Sequence, residues 1–282
     1  MTDTININAY AKINLTLDII KRLESGYHEI ESVKQQLMLH DDITLRTLNE
    51  KSIMINCEGV PKEKNLAYKA ALLLQKKFNP EKGAEITIKK EIPIGAGLGG
   101  GSADAAATFK GLNKLWNLQL KREQLMKIGE EIGMDVPFCV LGKTALATGT
   151  GTILRKLRPI MEFYAVLVNP GFRISTKEAY EKLDIEKTGK RHSTDFMVKA
   201  IEYQREDQIT SNLHNDFESS IIKEHPIISG IKSELIKNGA LNSLMSGSGP
   251  TVFGLFENKE KAKAAYSALS GKYSFVCLTK TR

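Results

Sequence analysis

Between residues 4 and 19 apolar and polar side chains alternate without a break. Ile5, Ile7, Ala9, Ala11, Ile13, Leu15, Leu17 and Ile19 fall on one side, and Thr4, Asn6, Asn8, Tyr10, Lys12, Asn14, Thr16 and Asp18 on the other. A period of two predicts one long strand with a single buried face. Further strands are expected at residues 43–45, 53–55 and 84–89. Leu66, Ala70, Leu73 and Leu74 share one face of a helix over residues 65–77. The glycine-rich stretch PIGAGLGGGSADAA follows at residues 93–106, and beyond it Ala105, Phe109, Leu112 and Trp116 recur at helical spacing. That spacing predicts a helix from about Ser102 to Lys114, so the glycines feed a helix N-terminus. A helix over residues 122–132 is expected to stop at Gly133 in the left-handed region. The second half predicts a strand at 164–168, helices at 176–182, 194–204 and 226–237, two strands flanking SGSGP at 246–250, a helix at 259–269 and a closing strand at 273–279. Strands and helices in this order predict an α+β fold whose second half is a ferredoxin-like sandwich. The break between domains is expected near residues 155–162, giving an N-terminal domain over 1–158 and a C-terminal one over 159–282.

Composition narrows the class. The chain has 282 residues, 41% hydrophobic and 26% charged, which suits one large or two modest globular domains and excludes a disordered polyelectrolyte or a collagen-like repeat. Cys57, Cys139 and Cys277 lie far apart with no C-x-x-C pair, and no H-E-x-x-H occurs, so neither a disulfide framework nor a zinc motif is indicated. MTDTININAY lacks the basic start and apolar run of a signal peptide, and no apolar stretch approaches the roughly 20 residues of a membrane helix. The cytoplasm is therefore the expected compartment, with no membrane partner. A net charge of +7 favours anionic partners such as phosphorylated metabolites, nucleotides or nucleic acid. The densest basic cluster, KTGKRH at 187–192, is short and interrupted by glycine, which reads as a solvated loop rather than a nucleic-acid arm.

The chemistry concentrates in the glycine stretch. Gly95, Gly97, Gly99, Gly100 and Gly101 let backbone N–H groups approach an anion closely, and the following helix adds the positive end of its dipole. A phosphate suits that place; a flexible turn packed against a neighbour is the plain alternative. No G-K-[ST] closes the stretch, so it is not a Walker A loop. The literal G-x-G-x-x-G over residues 95–100 lacks the acidic strand end that a dinucleotide fold needs about 20 residues on. The H-R-D and D-F-G segments of protein kinases are absent.

Other positions carry two readings each. Lys12 and Asn14 project the same way from the first strand and could reach one ligand, or form an ordinary solvent-facing edge. Asp135 stands where a helix N-cap is expected, ahead of Val136 and Pro137. In SGYHEIES, residues 25–32, Tyr27 and His28 offer a stacking face and a polar ring for a base, or a plain turn. Residues 245–250 form a second glycine loop or a simple hairpin connection.

Together NAYAKINLTLD (8–18), SGYHEIES (25–32), PIGAGLGGGSADAA (93–106), GMDVPFCVLGKTALATGTG (133–151), VNPGFRIST (168–176) and LMSGSGPTVFGLF (244–256) carry a resemblance that none shows alone. The chain resembles the GHMP small-molecule kinase superfamily, and within it those kinases whose acceptor alcohol carries a cytidine diphosphate. The resemblance implies the two-domain GHMP kinase fold and transfer of a phosphoryl group from ATP, with Mg²⁺, to a hydroxyl. It implies no nucleic-acid partner, and a monomer or weak homodimer. It gives Asp135 the hydroxyl proton and sets Lys12 to keep that carboxylate ionised. ATP contacts are implied for Asn65, Leu66, Pro93, Gly95, Ala96, Gly97, Leu98, Gly99, Gly100, Gly101, Ser102 and Ala103, with the Ser102 hydroxyl close to the phosphates or the metal. On the acceptor side Tyr27 and Tyr180 would sandwich the cytosine, His28 would read its polar edge, and Asn14 and Thr176 would add hydrogen bonds. Three departures stand out. Thr150 and Thr152 replace a common Arg and Glu, Leu23, Glu24 and Ser25 replace R-P-D, and Ala103 replaces a second serine. The rival readings are the same fold with another acceptor, as in homoserine or mevalonate kinases, and a non-catalytic nucleotide- or RNA-binding module.

Overall fold

The structure is a computed structural model that describes residues 3–183 and 193–282; the basic cluster at 187–192 lies outside the described residues. The chain gathers into two compact units, each assembled from segments that are not contiguous in sequence. Unit 1 takes residues 1–11, 39–94 and 99–142, and unit 2 takes residues 12–38, 95–98 and 143–282. The sequence reading, by contrast, divides the chain once, after residue 158.

Unit 1 holds the start of β1 (Thr4–Asn14), and after β2 (Thr16–Arg22) it resumes with the second half of β3 (His28–Leu48). Then come β4 (Ile53–Cys57), α1 (Leu66–Phe78), β5 (Gly83–Lys89), α2 (Gly100–Leu115), α3 (Arg122–Gly129) and α4 (Val136–Leu141). β5 lies antiparallel to β3, pairing Ile43 with Ile88 and Leu45 with Ile86, and parallel to β4. α1 starts where it does because the Asn65 side chain accepts from the amides of Ala67 and Tyr68. It buries Ala67, Ala70, Ala71 and Leu74, while α2 buries Ala103, Ala105, Ala106, Ala107, Phe109 and Leu112. Alanines on both packed faces let the helix backbones approach closely. Gly111 extends this to the sheet, since a Cβ there would come within 2.0 Å of Leu45 Cδ1.

Unit 2 contains β2, the first half of β3, and then β6 (Thr144–Thr148), β7 (Ile153–Lys156), β8 (Tyr164–Asn169), α5 (Thr176–Glu181), α6 (Ser193–Glu202), α7 (Glu206–Ser211), β9 (His214–Asn215), α8 (Glu218–Glu224), α9 (Ile227–Lys237), β10 (Asn242–Met245), β11 (Val252–Phe256), α10 (Lys259–Leu269) and β12 (Phe275–Lys280). Its antiparallel sheet runs β10-β11-β8-β12, with α9 and α10 packed on it. That order, with a helix before β10 and another before β12, is the ferredoxin-like arrangement expected. Val166, Val168, Ile228, Ile231, Leu235, Val252, Phe256 and Leu269 form its core. β3 pairs with β2 and β6, and β2 pairs in parallel with the short β9.

Three local expectations are corrected. The strand over residues 4–19 is two strands interrupted at Leu15, and Ala11 through Ile19 are all buried rather than alternating. The polar members tolerate burial because they are partnered: Asn14 Nδ2 donates to Ser32 Oγ (2.8 Å), the Thr16 hydroxyl accepts from the Val33 amide (3.0 Å), and Asp18 Oδ2 accepts from the Thr194 amide (2.8 Å). The strand expected at 43–45 is the end of a 21-residue strand, β3, that begins within SGYHEIES. Gly133 is not left-handed. α3 ends at Gly129 and the chain turns through bonds from Ile132 N–H to Gly129 O (3.0 Å) and from Val136 N–H to Gly133 O (3.0 Å).

Candidate active site

The glycine stretch is built from both ends by backbone conformations that glycine alone adopts cheaply. Gly95, Gly97 and Gly99 have φ of 70°, 79° and 70°, and Gly99 is the N-cap of α2. Gly100 and Gly101 already belong to α2, so the helix begins two residues earlier than its apolar period shows. The first-turn amides of α2 have no side-chain cap and offer donors and a positive dipole end for an anion. Ser102 stands in that turn, its Oγ 4.0 Å from where a Cβ on Gly133 would lie.

Within unit 2 the segment 95–98 is tied down. Lys12 N–H donates to Leu98 O (2.9 Å) and Ser246 Oγ to Gly97 O (3.0 Å). A Cβ at Gly97 would sit 2.2 Å from Ser246 O, a clash with backbone that no side-chain rotation relieves. The second glycine loop is thus more than a hairpin connection between β10 and β11. Asn215 Nδ2 donates to both Met245 O (2.8 Å) and Gly247 O (2.7 Å), and Met245 N–H donates to Glu218 Oε1 (2.8 Å). At Gly247, φ 57°, a Cβ would lie 3.3 Å from Lys12 Nζ and 3.4 Å from Asn14 Oδ1. Lys12 is only 4% exposed, and its ammonium donates to Asn14 Oδ1 at 2.7 Å. Strand spacing thus brings Lys12 and Asn14 together, as their shared face predicts, and the strand is no solvent-facing edge.

The aromatic residues meet in a different combination from the one the resemblance implies. The rings of His28 and Tyr180 stack at 4.3 Å and 10°, and Phe217 meets Tyr180 edge-on at 4.8 Å. Tyr27 is 55% exposed. Burial, then the nearby Arg22 charge, lowers the His28 pKa below its ordinary value, so the ring is neutral at pH 7 and can both donate and accept. Thr176 and Ser248 share a hydrogen bond of 3.1 Å. Thr150 and Thr152 hydroxyls lie 3.5 Å apart.

In unit 1 Asp135 is the N-cap residue of α4, yet its carboxylate makes no capping bond to that helix, whose second residue is Pro137. The side-chain oxygen of Asn65 caps α1, and Leu66 begins the helix. A cluster that the sequence gives no sign of lies under the α2 terminus. The Lys90 ammonium bonds Asp104 Oδ2 (2.8 Å) and Asp41 Oδ2, and Asp41 Oδ1 accepts from the amides of Glu91 (2.6 Å) and Ile92 (2.8 Å). Burial pushes the Asp104 carboxyl up, the Lys90 ammonium opposes it and Asp41 adds to it, leaving it at about 7. Burial also works against the Lys90 charge, but the two carboxylates more than offset it and hold its pKa above the ordinary value. Arg173 is a further unread residue: its stem passes Gly95, with Cδ 3.2 Å from a Cβ built there. The segment VNPGFRIST contains it, but nothing in the spacing singles it out.

The geometry thus comprises a left-handed glycine run entering a helix N-terminus, a second glycine turn closed on a buried lysine, and a ferredoxin-like sandwich. The sequence profile of the GHMP kinases N terminal domain matches residues 65–143 and that of the GHMP kinases C terminal region matches residues 197–274. The chain belongs to the GHMP kinase family. It is 42% identical over 280 residues, 98% of this chain and 97% of the relative, to the 4-diphosphocytidyl-2-C-methyl-D-erythritol kinase of Clostridium perfringens. A crystal structure of 4-(cytidine 5'-diphospho)-2C-methyl-D-erythritol kinase superposes with a TM-score of 0.86 at 29% identity, covering 98% of this chain and 99% of that one. A crystal structure of L. major mevalonate kinase in complex with R-mevalonate superposes with a TM-score of 0.81 at 14% identity, covering 100% of this chain and 97% of that one, a likeness of fold alone.

Proposed function

We propose that this chain transfers the γ-phosphoryl group of ATP to the 2-hydroxyl of 4-diphosphocytidyl-2-C-methyl-D-erythritol, giving the 2-phosphate and ADP in non-mevalonate isoprenoid precursor synthesis. It acts in the cytoplasm as a monomer or weak homodimer. The observation that carries this reading is the end-to-end likeness, at 42% identity, to a chain of that one activity, against 14% to a mevalonate kinase of the same fold. No helix among the described residues is long and apolar enough to cross a membrane.

Phosphoryl transfer passes through a loose transition state, so positioning and charge neutralisation outweigh covalent help from the protein. We assign the ATP phosphates to the amides of residues 95–103 and the first turn of α2, where preset left-handed glycines require no reorganisation on binding. Asn65, Leu66 and Pro93 are assigned to the rest of the nucleotide. Asp135 is assigned the proton of the attacking hydroxyl, consistent with a carboxylate not committed to capping α4. Lys12 is assigned to hold that carboxylate as an anion and orient the hydroxyl, with Asn14 fixing the ammonium. The cytosine is assigned to Tyr27, His28 and Tyr180, with Thr176 as a hydrogen-bonding partner. A neutral His28 suits a neutral base, and the His28–Tyr180 stack shows that aromatic surface is already arranged face to face. Binding energy gained there orients a reacting oxygen far from the base.

Mg²⁺ accompanies ATP in this reading, with Ser102 as its candidate protein contact. A hydroxyl alone is a poor magnesium site. Magnesium is ordinarily held by carboxylates together with substrate phosphates and water, so no step is routed through the ion.

The test is a coupled ADP-release assay with 4-diphosphocytidyl-2-C-methyl-D-erythritol, and with mevalonate and homoserine as competing acceptors. The first acceptor alone should support turnover. Asp135→Asn should lose about 10²- to 10⁴-fold in kcat while still binding ATP. Turnover equal to that of the unaltered enzyme would remove Asp135 as the base.

A further inference from the structure

Asn215 ends β9, and the backbone on both sides of it is fixed to β2: His214 N–H donates to Leu15 O (3.2 Å) and Asp216 N–H to Leu17 O (3.0 Å). Its side chain is 3% exposed and works in two directions. Nδ2 donates to Met245 O (2.8 Å) and to Gly247 O (2.7 Å), while Oδ1 accepts from the Phe217 N–H (3.1 Å). Turning the amide over would set an oxygen against two carbonyls and an NH₂ group against an N–H, so its neighbours dictate the orientation.

Closing the hairpin between β10 and β11 does not require this side chain. Ser246 N–H already donates to Thr251 O (2.9 Å) and Gly249 N–H to Ser246 O (2.9 Å). What Asn215 adds is a hold, from a third strand, on the carbonyls either side of Ser246. That stretch meets the candidate site twice. Ser246 Oγ donates to Gly97 O (3.0 Å), and Gly247, at φ 57°, passes so close to Lys12 that a Cβ would lie 3.3 Å from its Nζ. The remaining bond reaches the acceptor side, because the ring of Phe217 meets Tyr180 edge-on at 4.8 Å. Phe217 is buried, and a close-packed ring moves only if its neighbours repack.

We propose that Asn215 is a positioning residue that holds the second glycine loop where it sets the Lys12 ammonium and the 95–98 segment for phosphoryl transfer. The role rests on the kinase reading of the chain and extends it to a buried side chain that acts only through others. A buried carbonyl deprived of its donor destabilises the geometry that buries it, and a misplacement of about 1 Å at a reacting group can lower a rate about 100-fold.

The experiment compares the unaltered full chain with Asn215→Asp and with Leu269→Val, a core change in α10, which packs chiefly on β8 and β12. Aspartate keeps the shape and the acceptor for the Phe217 amide. Ionised it offers no donor, and protonated only one, where two carbonyls need one each. In the ADP-release assay, run well below every Tm, Asn215→Asp should lower kcat about 10- to 100-fold and leave the acceptor KM within about threefold. Leu269→Val should lower Tm and keep the unaltered kcat. Asn215→Ala, which also releases the Phe217 amide, should lose kcat to the same degree and raise the acceptor KM as well; it replaces Asn215→Asp if that chain does not fold. NMR reads the placement without turnover: the Lys12 Cε carbon signal and the Gly97 amide signal should move in Asn215→Asp and stay in Leu269→Val. An unaltered chain without turnover would remove the kinase reading, and movement of these two signals would still support Asn215 as the residue that places Lys12. Unmoved Lys12 and Gly97 signals, a kcat in Asn215→Asp equal to that of Leu269→Val, or failure of both Asn215 variants to fold would each overturn the proposal.

Discussion

Two buried pairs of aspartates in this molecule are balanced differently. In unit 1 Asp41 and Asp104 share the ammonium of Lys90, a permanent cation supplied by the end of β5. In unit 2 Asp18 Oδ1 and Asp216 Oδ1 lie 3.7 and 2.9 Å from the Nε2 of His214. Both pairs use backbone amides to hold one carboxylate oxygen: Asp41 takes those of Glu91 and Ile92, and Asp216 that of Ile19. The difference is the group each pair gathers around, a lysine ammonium in one and an imidazole nitrogen in the other. The first cluster acts as a brace under the N-terminus of α2.

The largest test of this contrast is Lys90→Met, which keeps the aliphatic stem and removes the charge. Two carboxylates would then be buried with no cation between them. Breaking a buried pair in this way costs about 3 to 5 kcal/mol, measured by urea denaturation at pH 8. The cost should shrink toward pH 5 as a proton replaces the lost cation. A penalty below about 1 kcal/mol at pH 8 would mean that water already reaches the cluster.

The second test reads the proton in that brace. The folded Asp104 carboxyl lies near 7 against an ordinary 3.8, so between those values the folded chain keeps a proton that the unfolded chain has lost. Stability supplied by that proton is full at pH 4 and declines as pH rises toward 7. The expected decline is a few kcal/mol at about 1.4 kcal/mol per pH decade. Asp104→Asn cannot titrate, so its urea midpoint should lack this fall, and the difference between the two chains should level off above pH 7. A difference that is flat from pH 4 to 8 would show Asp104 ionised throughout.

How much of this the sequence discloses depends on how local the determinant is. α1, α2, β5 and the ferredoxin-like half are legible because period, cap and turn lie within one window: Asn65 precedes the apolar face it caps, and Gly95 to Gly101 announce a tight turn into a helix. β3 is not, because its first half buries Ser32, Lys34, Gln35 and Gln36 on both faces, whereas their polarity alone would leave them in solvent. Their burial rests on distant partners: Thr144 Oγ1 donates to Gln35 Oε1 (2.6 Å) and the Lys143 amide to Gln36 Oε1 (2.9 Å). The chemistry divides in the same way. Lys12 with Asn14 is visible as two positions on one strand. Lys90 with Asp41, and His214 with Asp18, join residues scores of positions apart with no shared motif, so only the folded chain shows them.

The smallest effect should come from His214→Gln. The glutamine amide can take over the bond that His214 makes to Asp216 Oδ1, so the cost measured by urea denaturation is that of one adjusted hydrogen bond, about 1 kcal/mol. A penalty as large as that of Lys90→Met would show that the imidazole does for Asp18 and Asp216 what the ammonium does for Asp41 and Asp104, and would erase the distinction between the two acidic pairs.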